Sequence, residues 1–91
     1  MLAYVYMLRC KDGSLYTGWT NNIEHRLEMH RAGKGAKYTR GRGPLELVYL
    51  EELSDKESAL RREAAIKRLT RAEKLRLCNE FMKTGVSDTS L

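Results

Sequence analysis

The chain has 91 residues, 42% of them hydrophobic and 32% charged, a composition that excludes a disordered segment and allows one domain with a small core. Seventeen Lys and Arg against twelve Asp and Glu leave a formal net charge of +5, which favours a polyanionic partner, nucleic acid first. Cys10 and Cys78 lack the paired spacing of a zinc site or a disulfide framework, so they are expected to be reduced and packed. No leader-like pattern opens the chain and no stretch approaches ~18 apolar residues, so no membrane association is expected and a cytoplasmic location is.

Residues 3–10 and 14–19 are rich in Tyr, Val, Leu and Trp and flank Lys11-Asp12-Gly13, which predicts a β-hairpin. Asn21 with Glu24 resembles a capping box and predicts a helix from Asn22 to about Ala32, stopped by Gly33. Residues 33–43 hold four glycines, no acid, the cations Lys34, Lys37, Arg40 and Arg42, and Tyr38 in their midst; a loop is predicted. Pro44 closes it, and residues 45–52 read as a third strand. Ser54 with Glu57 and Thr70 with Glu73 form two capping boxes, so helices are predicted to start at Asp55 and Arg71. Residues 1–83 are expected to hold the single domain and residues 84–91 a fraying tail.

Tyr4-Val5-Tyr6 and Tyr16-Thr17-Gly18 put two phenols on neighbouring strands. Strands about 5 Å apart let Tyr6 and Tyr16 meet if the register places them on one face; by themselves they are equally ordinary strand residues. On the first helix Ile23 and Leu27 define an apolar face flanked by Arg26 and His30, a pair suited to gripping a phosphate or to a solvated flank. On the second helix Glu63 falls between Ala59 and Ile66 on one side and Leu60 and Ala64 on the other. A carboxylate there has to be protonated, ion-paired, at the rim or metal-bound. From the residues alone, a salt bridge to Lys67 or Lys56 ranks ahead of a metal ligand. Asn79, beside Leu75 and Met82, is placed on a face that also carries Cys78 and Phe81. Lys34, Lys37, Tyr38, Arg40 and Arg42 combine cations with a stacking surface, as a nucleic-acid rim requires.

Together, Tyr4-Val5-Tyr6, Tyr16-Thr17-Gly18, Arg26, His30 and Glu63 resemble the GIY-YIG nuclease domain family over about residues 3–80. The likeness is greatest to its small stand-alone bacterial members. The pattern is broken at Tyr4, where glycine is usual, and at Thr17, where isoleucine is. The resemblance implies an α+β fold, a three-stranded antiparallel sheet flanked by helices, in agreement with the strand-strand-helix-strand-helix-helix order read above. It also implies metal-dependent hydrolysis of phosphodiester bonds, in DNA rather than RNA, with a link to repair or recombination. In that scheme Tyr6 is the base for the attacking water and Tyr16 its helper. Arg26 neutralises the phosphate, His30 hydrogen-bonds it or relays a proton, Glu63 holds one divalent ion, Mg²⁺ or Mn²⁺, and Lys67 and Asn79 are accessory. A phenol near pKa 10 lies ~3 units above neutral pH, so forming phenolate requires about 4 kcal/mol of help. Two rivals are a nucleic-acid-binding module with little activity alone and a scaffold that recruits a protein partner; family nucleases often take their specificity from such partners.

Overall fold

A computed structural model describes residues 2–36 and 38–83. The elements are β1 (Ala3–Arg9), β2 (Leu15–Thr20), α1 (Ile23–Arg31), β3 (Glu46–Leu53), α2 (Lys56–Lys67) and α3 (Arg71–Lys83). This is the α+β order expected, with boundaries moved by one residue at most of the strand and helix ends. The predicted tail and Lys37 lie outside the described residues.

Local chemistry explains the boundaries. The β1–β2 turn is closed by Asp12, whose carboxylate accepts from the Ser14 amide at 3.0 Å and the Ser14 hydroxyl at 2.6 Å, while Gly13 takes the positive φ of 85°. The cap of α1 is Asn22, not Asn21: its side chain accepts from the His25 amide at 3.1 Å. At the other end Gly33, with φ 78°, lets its own amide reach the His30 carbonyl at 3.0 Å and the Lys34 amide reach the Met29 carbonyl at 2.8 Å, the double closure of a Schellman motif. The cap of α2 is Asp55 instead of Ser54, its carboxylate accepting from Ser58 at 2.8 Å. At α3 the predicted box is complete: Thr70 Oγ1 accepts from the Glu73 amide at 3.2 Å and Glu73 Oε1 accepts from the Thr70 amide at 3.0 Å.

The antiparallel sheet has the order β2-β1-β3, so β1 is central and buried on both faces. Ala3, Val5 and Met7 point to one face, where Val48, Ala59, Ile66 and Cys78 join them. Tyr6, Leu8 and Cys10 point to the other, with Leu45 and the half-buried Ile23 and Leu27 of α1. Helices α2 and α3 thus cover one face and α1 the other. The two cysteines belong to opposite clusters and are both free and buried. Asn79 does not turn inward; it is exposed, as is Met82, because Cys78 and the half-buried Leu77 and Phe81 carry the packed side of α3. Among the described residues no helix is long and apolar enough to cross a membrane.

The caps separate two outcomes. Thr70→Ala is expected to lower the unfolding free energy by about 1 kcal/mol, whereas Ser54→Ala, which removes no cap, should stay within about 0.5 kcal/mol of the parent; urea titration of both variants measures the difference.

Candidate active site

Strand register builds the first half of the site. Tyr6 faces Gly18 and Leu8 faces Tyr16 across the β1–β2 pair, so Tyr6 and Tyr16 are diagonal neighbours on one face, with ring centroids 6.2 Å apart. Gly18 is there for space: a Cβ at that position would lie 2.8 Å from the Tyr6 hydroxyl oxygen and 3.0 Å from the Tyr16 ring. Without a side chain at Gly18, the hydroxyl end of the Tyr6 phenol fits against the neighbouring strand.

Helix α1 supplies the second half. Arg26 and His30, one turn apart, project toward β1. The Tyr6 oxygen lies 2.8 Å from His30 Nε2, and Arg26 Nε donates to it at 3.4 Å. The His30 ring also meets Tyr6 edge-on at 5.7 Å and lies 5.4 Å from the Tyr16 ring. Tyr6 is fully buried and His30 nearly so. Burial pushes the Tyr6 phenol up to about 12, against the opposing pull of its hydrogen bond from Arg26. Burial also pulls His30 down to about 4, and the Arg26 charge acts in the same direction. The hydrogen bond to Tyr6 raises Arg26 further. The resting site is therefore a neutral phenol, a neutral imidazole and one guanidinium.

The loop between α1 and β3 closes over this cluster. Tyr38 stacks on Tyr16 with ring centroids 6.0 Å apart and planes 26° from parallel. The Arg42 guanidinium covers Tyr38 at 4.6 Å and also binds Asp12 at 2.6 Å. Beneath them Thr39 is buried, its hydroxyl oxygen 2.9 Å from His30 Nδ1. Gly35 leaves room for the His30 ring, which a Cβ there would strike. Of the cations assigned to a nucleic-acid rim, Lys34 and Arg40 are exposed, Arg42 is engaged with Asp12 and Tyr38, and Lys37 lies outside the described residues.

A cavity of about 220 Å³ borders the cluster, lined by Leu15, Tyr16, Thr17, Tyr38, Lys67 and Lys74. It wraps the edge strand β2, which is how residues of α2 and α3 come to share a surface with a phenol on the opposite face of the sheet. Glu63 joins this wall through Lys67, to which it is paired at 3.6 Å with its own side chain 17% exposed. Lys56 instead lies over the Trp19 ring at 5.6 Å. Among the described residues no three His, Cys, Asp or Glu side chains gather, so Glu63 offers a single oxygen donor group. That fits a hard ion that keeps most of its waters, in competition with Lys67.

Tyr6, Tyr16, Arg26 and His30 thus come together; Tyr38 and Lys67 border them, Glu63 is one ion pair removed, and Asn79 stands on the exposed side of α3. Sequence reading missed Thr39, Lys74 and the spatial roles of Gly18 and Gly35. Thr39 sits between Tyr38 and Arg40 and carries no periodic signal that it is buried.

The imidazole has a consequence for stability. Tyr6, Tyr16, Arg26 and Thr39 surround His30, whose folded value of about 4 lies below the ordinary ~6.5, so the unfolded chain takes up the proton first. Its contribution is complete above pH ~6.5 and is lost as pH falls toward 4. Urea unfolding should give a stability about 2 kcal/mol lower at pH 5 than at pH 7.5, and His30→Gln should flatten that dependence.

The family model described as the GIY-YIG catalytic domain matches residues 2–76. The UPF0213 protein OB0043 of Oceanobacillus iheyensis is 62% identical over 74 residues, 81% of this chain and 86% of that protein; the UPF0213 protein SH2523 of Staphylococcus haemolyticus is 54% identical over 77 residues, 85% of this chain and 94% of that one. The solution structure of the UPF0213 protein BH0048 from Bacillus halodurans superposes with a TM-score of 0.60 at 49% identity, covering 94% of this chain and 89% of that chain. The E. faecalis protein EF2693 does so at 0.62 and 39% identity, covering 90% and 88%. With its two tyrosine triplets on the paired strands of one hairpin and the family match spanning nearly all of the described residues, this chain belongs to the GIY-YIG catalytic domain family.

Proposed function

We propose that the chain is an endonuclease that hydrolyses phosphodiester bonds in nucleic acid, DNA above RNA, with a divalent ion as cofactor. The observation that carries this reading is the Tyr6 hydroxyl, 2.8 Å from His30 Nε2 and 3.4 Å from Arg26 Nε. Because Arg26 donates to the phenol oxygen, the phenol's own proton is directed at His30.

Burial widens the energetic gap to phenolate. With Tyr6 at about 12, free phenolate at pH 7 lies ~5 units, about 7 kcal/mol, uphill, so a standing phenolate is not the base. A relay answers the difficulty. Tyr16 borders the cavity and adjoins Tyr6, so a water in the cavity gives its proton to Tyr16, Tyr16 passes its own to Tyr6, and Tyr6 passes its own to His30 Nε2. Both phenols are neutral before and after. The oxygen freed from the water attacks phosphorus, the bond to the leaving oxygen breaks, that oxygen takes a proton from solvent, and His30 gives its added proton back to solvent, which restores the neutral row. A phosphate drawn to Arg26 offsets the charge that disfavours imidazolium, which makes His30 a better acceptor when substrate is present. An ion on Glu63 would supply charge to the phosphate oxygens, and the exposed Lys34 and Arg40 with Lys67 and Lys74 would hold flanking phosphates. No base-reading helix or ribbon is part of the site, so recognition of nucleic-acid shape, with or without a protein partner, fits it better than recognition of sequence.

Purified protein incubated with single-stranded, duplex, flapped and branched DNA and with RNA, in Mg²⁺, Mn²⁺ or chelator, tests the reading. Metal-dependent cuts are expected, reduced about 10²- to 10⁴-fold by Tyr6→Phe and abolished by Glu63→Ala. Binding without cleavage on every substrate would leave a nucleic-acid-binding module instead. The Glu63–Lys67 pair adds a further expectation: Lys67→Met should tighten Mg²⁺ binding up to about fivefold, the size of an exposed ion pair, in isothermal titration.

A further inference from the structure

We infer that Thr39, in the glycine-rich loop, is a positioning residue that fixes the tautomer of His30 and so leaves Nε2 free to accept the Tyr6 proton. This rests on the nuclease reading for its catalytic meaning, but its structural content stands on the hydrogen bonds alone.

A hydroxyl has one proton to donate. Thr39 Oγ1 donates it to the Ala36 carbonyl at 3.1 Å, and with that proton so placed it accepts from His30 Nδ1, 2.9 Å away. A neutral imidazole carries a proton on one nitrogen, and the acceptor beside Nδ1 places it there. Nε2 is then a lone pair facing the Tyr6 hydroxyl at 2.8 Å. The opposite tautomer would turn the Thr39 proton away from the Ala36 carbonyl to Nδ1 and set Nε2–H and Arg26 Nε–H both at the Tyr6 oxygen, leaving the Tyr6 proton without its acceptor at Nε2, in a site where an unpaired buried polar group costs ~1–3 kcal/mol. Among the described residues no buried side-chain polar atom lacks a partner, and the Nδ1–H form gives each proton of this row an acceptor: Nδ1–H to Thr39, Thr39 to Ala36 and Tyr6 to Nε2.

The surroundings hold Thr39 in place. Ala36 also accepts from the Thr39 and Arg40 amides at 3.2 and 3.1 Å, giving the loop a turn of its own. Gly35 admits the imidazole beneath that turn, and Arg42 ties the far end of the loop to Asp12 at 2.6 Å. The loop thus orients the base and also carries the exposed Lys34 and Arg40.

Imidazole ¹⁵N spectra of the wild-type chain, Thr39→Val and Thr39→Ser, with kcat and KM on a cleaved substrate, test the assignment. Expected are an Nδ1–H spectrum in the wild type and in Thr39→Ser, loss of that preference in Thr39→Val, and a kcat about 10²-fold lower in Thr39→Val with KM unchanged, restored by Thr39→Ser; the scale is that of a mis-set tautomer in general-base catalysis. An Nε2–H spectrum in the wild type overturns the assignment whatever the activity, and it needs no variant to fold. A Thr39→Val protein that keeps the Nδ1–H spectrum also overturns it. An Nδ1–H wild type that cleaves nothing overturns the nuclease reading and leaves the tautomer assignment supported.

Discussion

The Tyr6 hydroxyl has to be satisfied where water does not reach it, and much of the structure follows from that requirement. Its strand is central and covered on both faces, so the partners have to come from side chains. They come from α1, which lies over that face on Ile23 and Leu27 and presents Arg26 and His30 to the phenol. His30 then has a second buried nitrogen to satisfy, and Thr39 supplies it from the loop. Each polar demand recruits another segment: β1 calls for α1, and α1 for the loop. Gly18 on β2 and Gly35 in the loop make the space in which this row of side chains fits.

The same row explains why the ionisation states are what they are. Burial acts on both Tyr6 and His30 in the direction of neutrality, and Arg26 is the one standing charge among them. A neutral donor–acceptor chain costs less to bury than a phenolate–imidazolium pair. It is also ready to move a proton without separating charge until a substrate arrives. Charge on the outside of the molecule is less available than the net +5 suggests. Arg9 is paired with Glu46, Arg42 with Asp12 and Arg62 with Glu51, and the Arg71 guanidinium donates to the Gly13 carbonyl. What faces the cavity beside Tyr16 is Lys67 and Lys74.

Much of the fold was legible in the residues because the signals involved are local. The apolar run of Ala3–Arg9, the Asp12-Gly13 turn, Gly33 and the Thr70–Glu73 box each act over a few residues. The misses in this class were small and have a common cause. Asn21-Asn22 and Ser54-Asp55 each offer two adjacent residues able to cap, with nearly equal preference, and the choice falls to where the preceding strand releases the chain. The reading of α3 failed differently: Asn79 shares a nominal stripe with Leu75 and Met82, but α3 packs on the sheet through Leu77, Cys78 and Phe81, and a helical wheel does not say which of two adjoining stripes is covered.

The elements, their order and the residue types of the site could all be read from the sequence, since these depend on backbone preference and hydrophobic period over short spans. The sequence also carried the family pattern in Tyr6, Tyr16, Arg26, His30 and Glu63. Tertiary structure alone decided the register that sets Tyr6 against Gly18, the reach of His30 to a phenol 24 residues away, and the burial of Thr39 among exposed cations. Each of these is a contact between segments distant in the chain, and its energy depends on distance and solvent exclusion, which come into being only when the sheet, α1 and the loop close on one another.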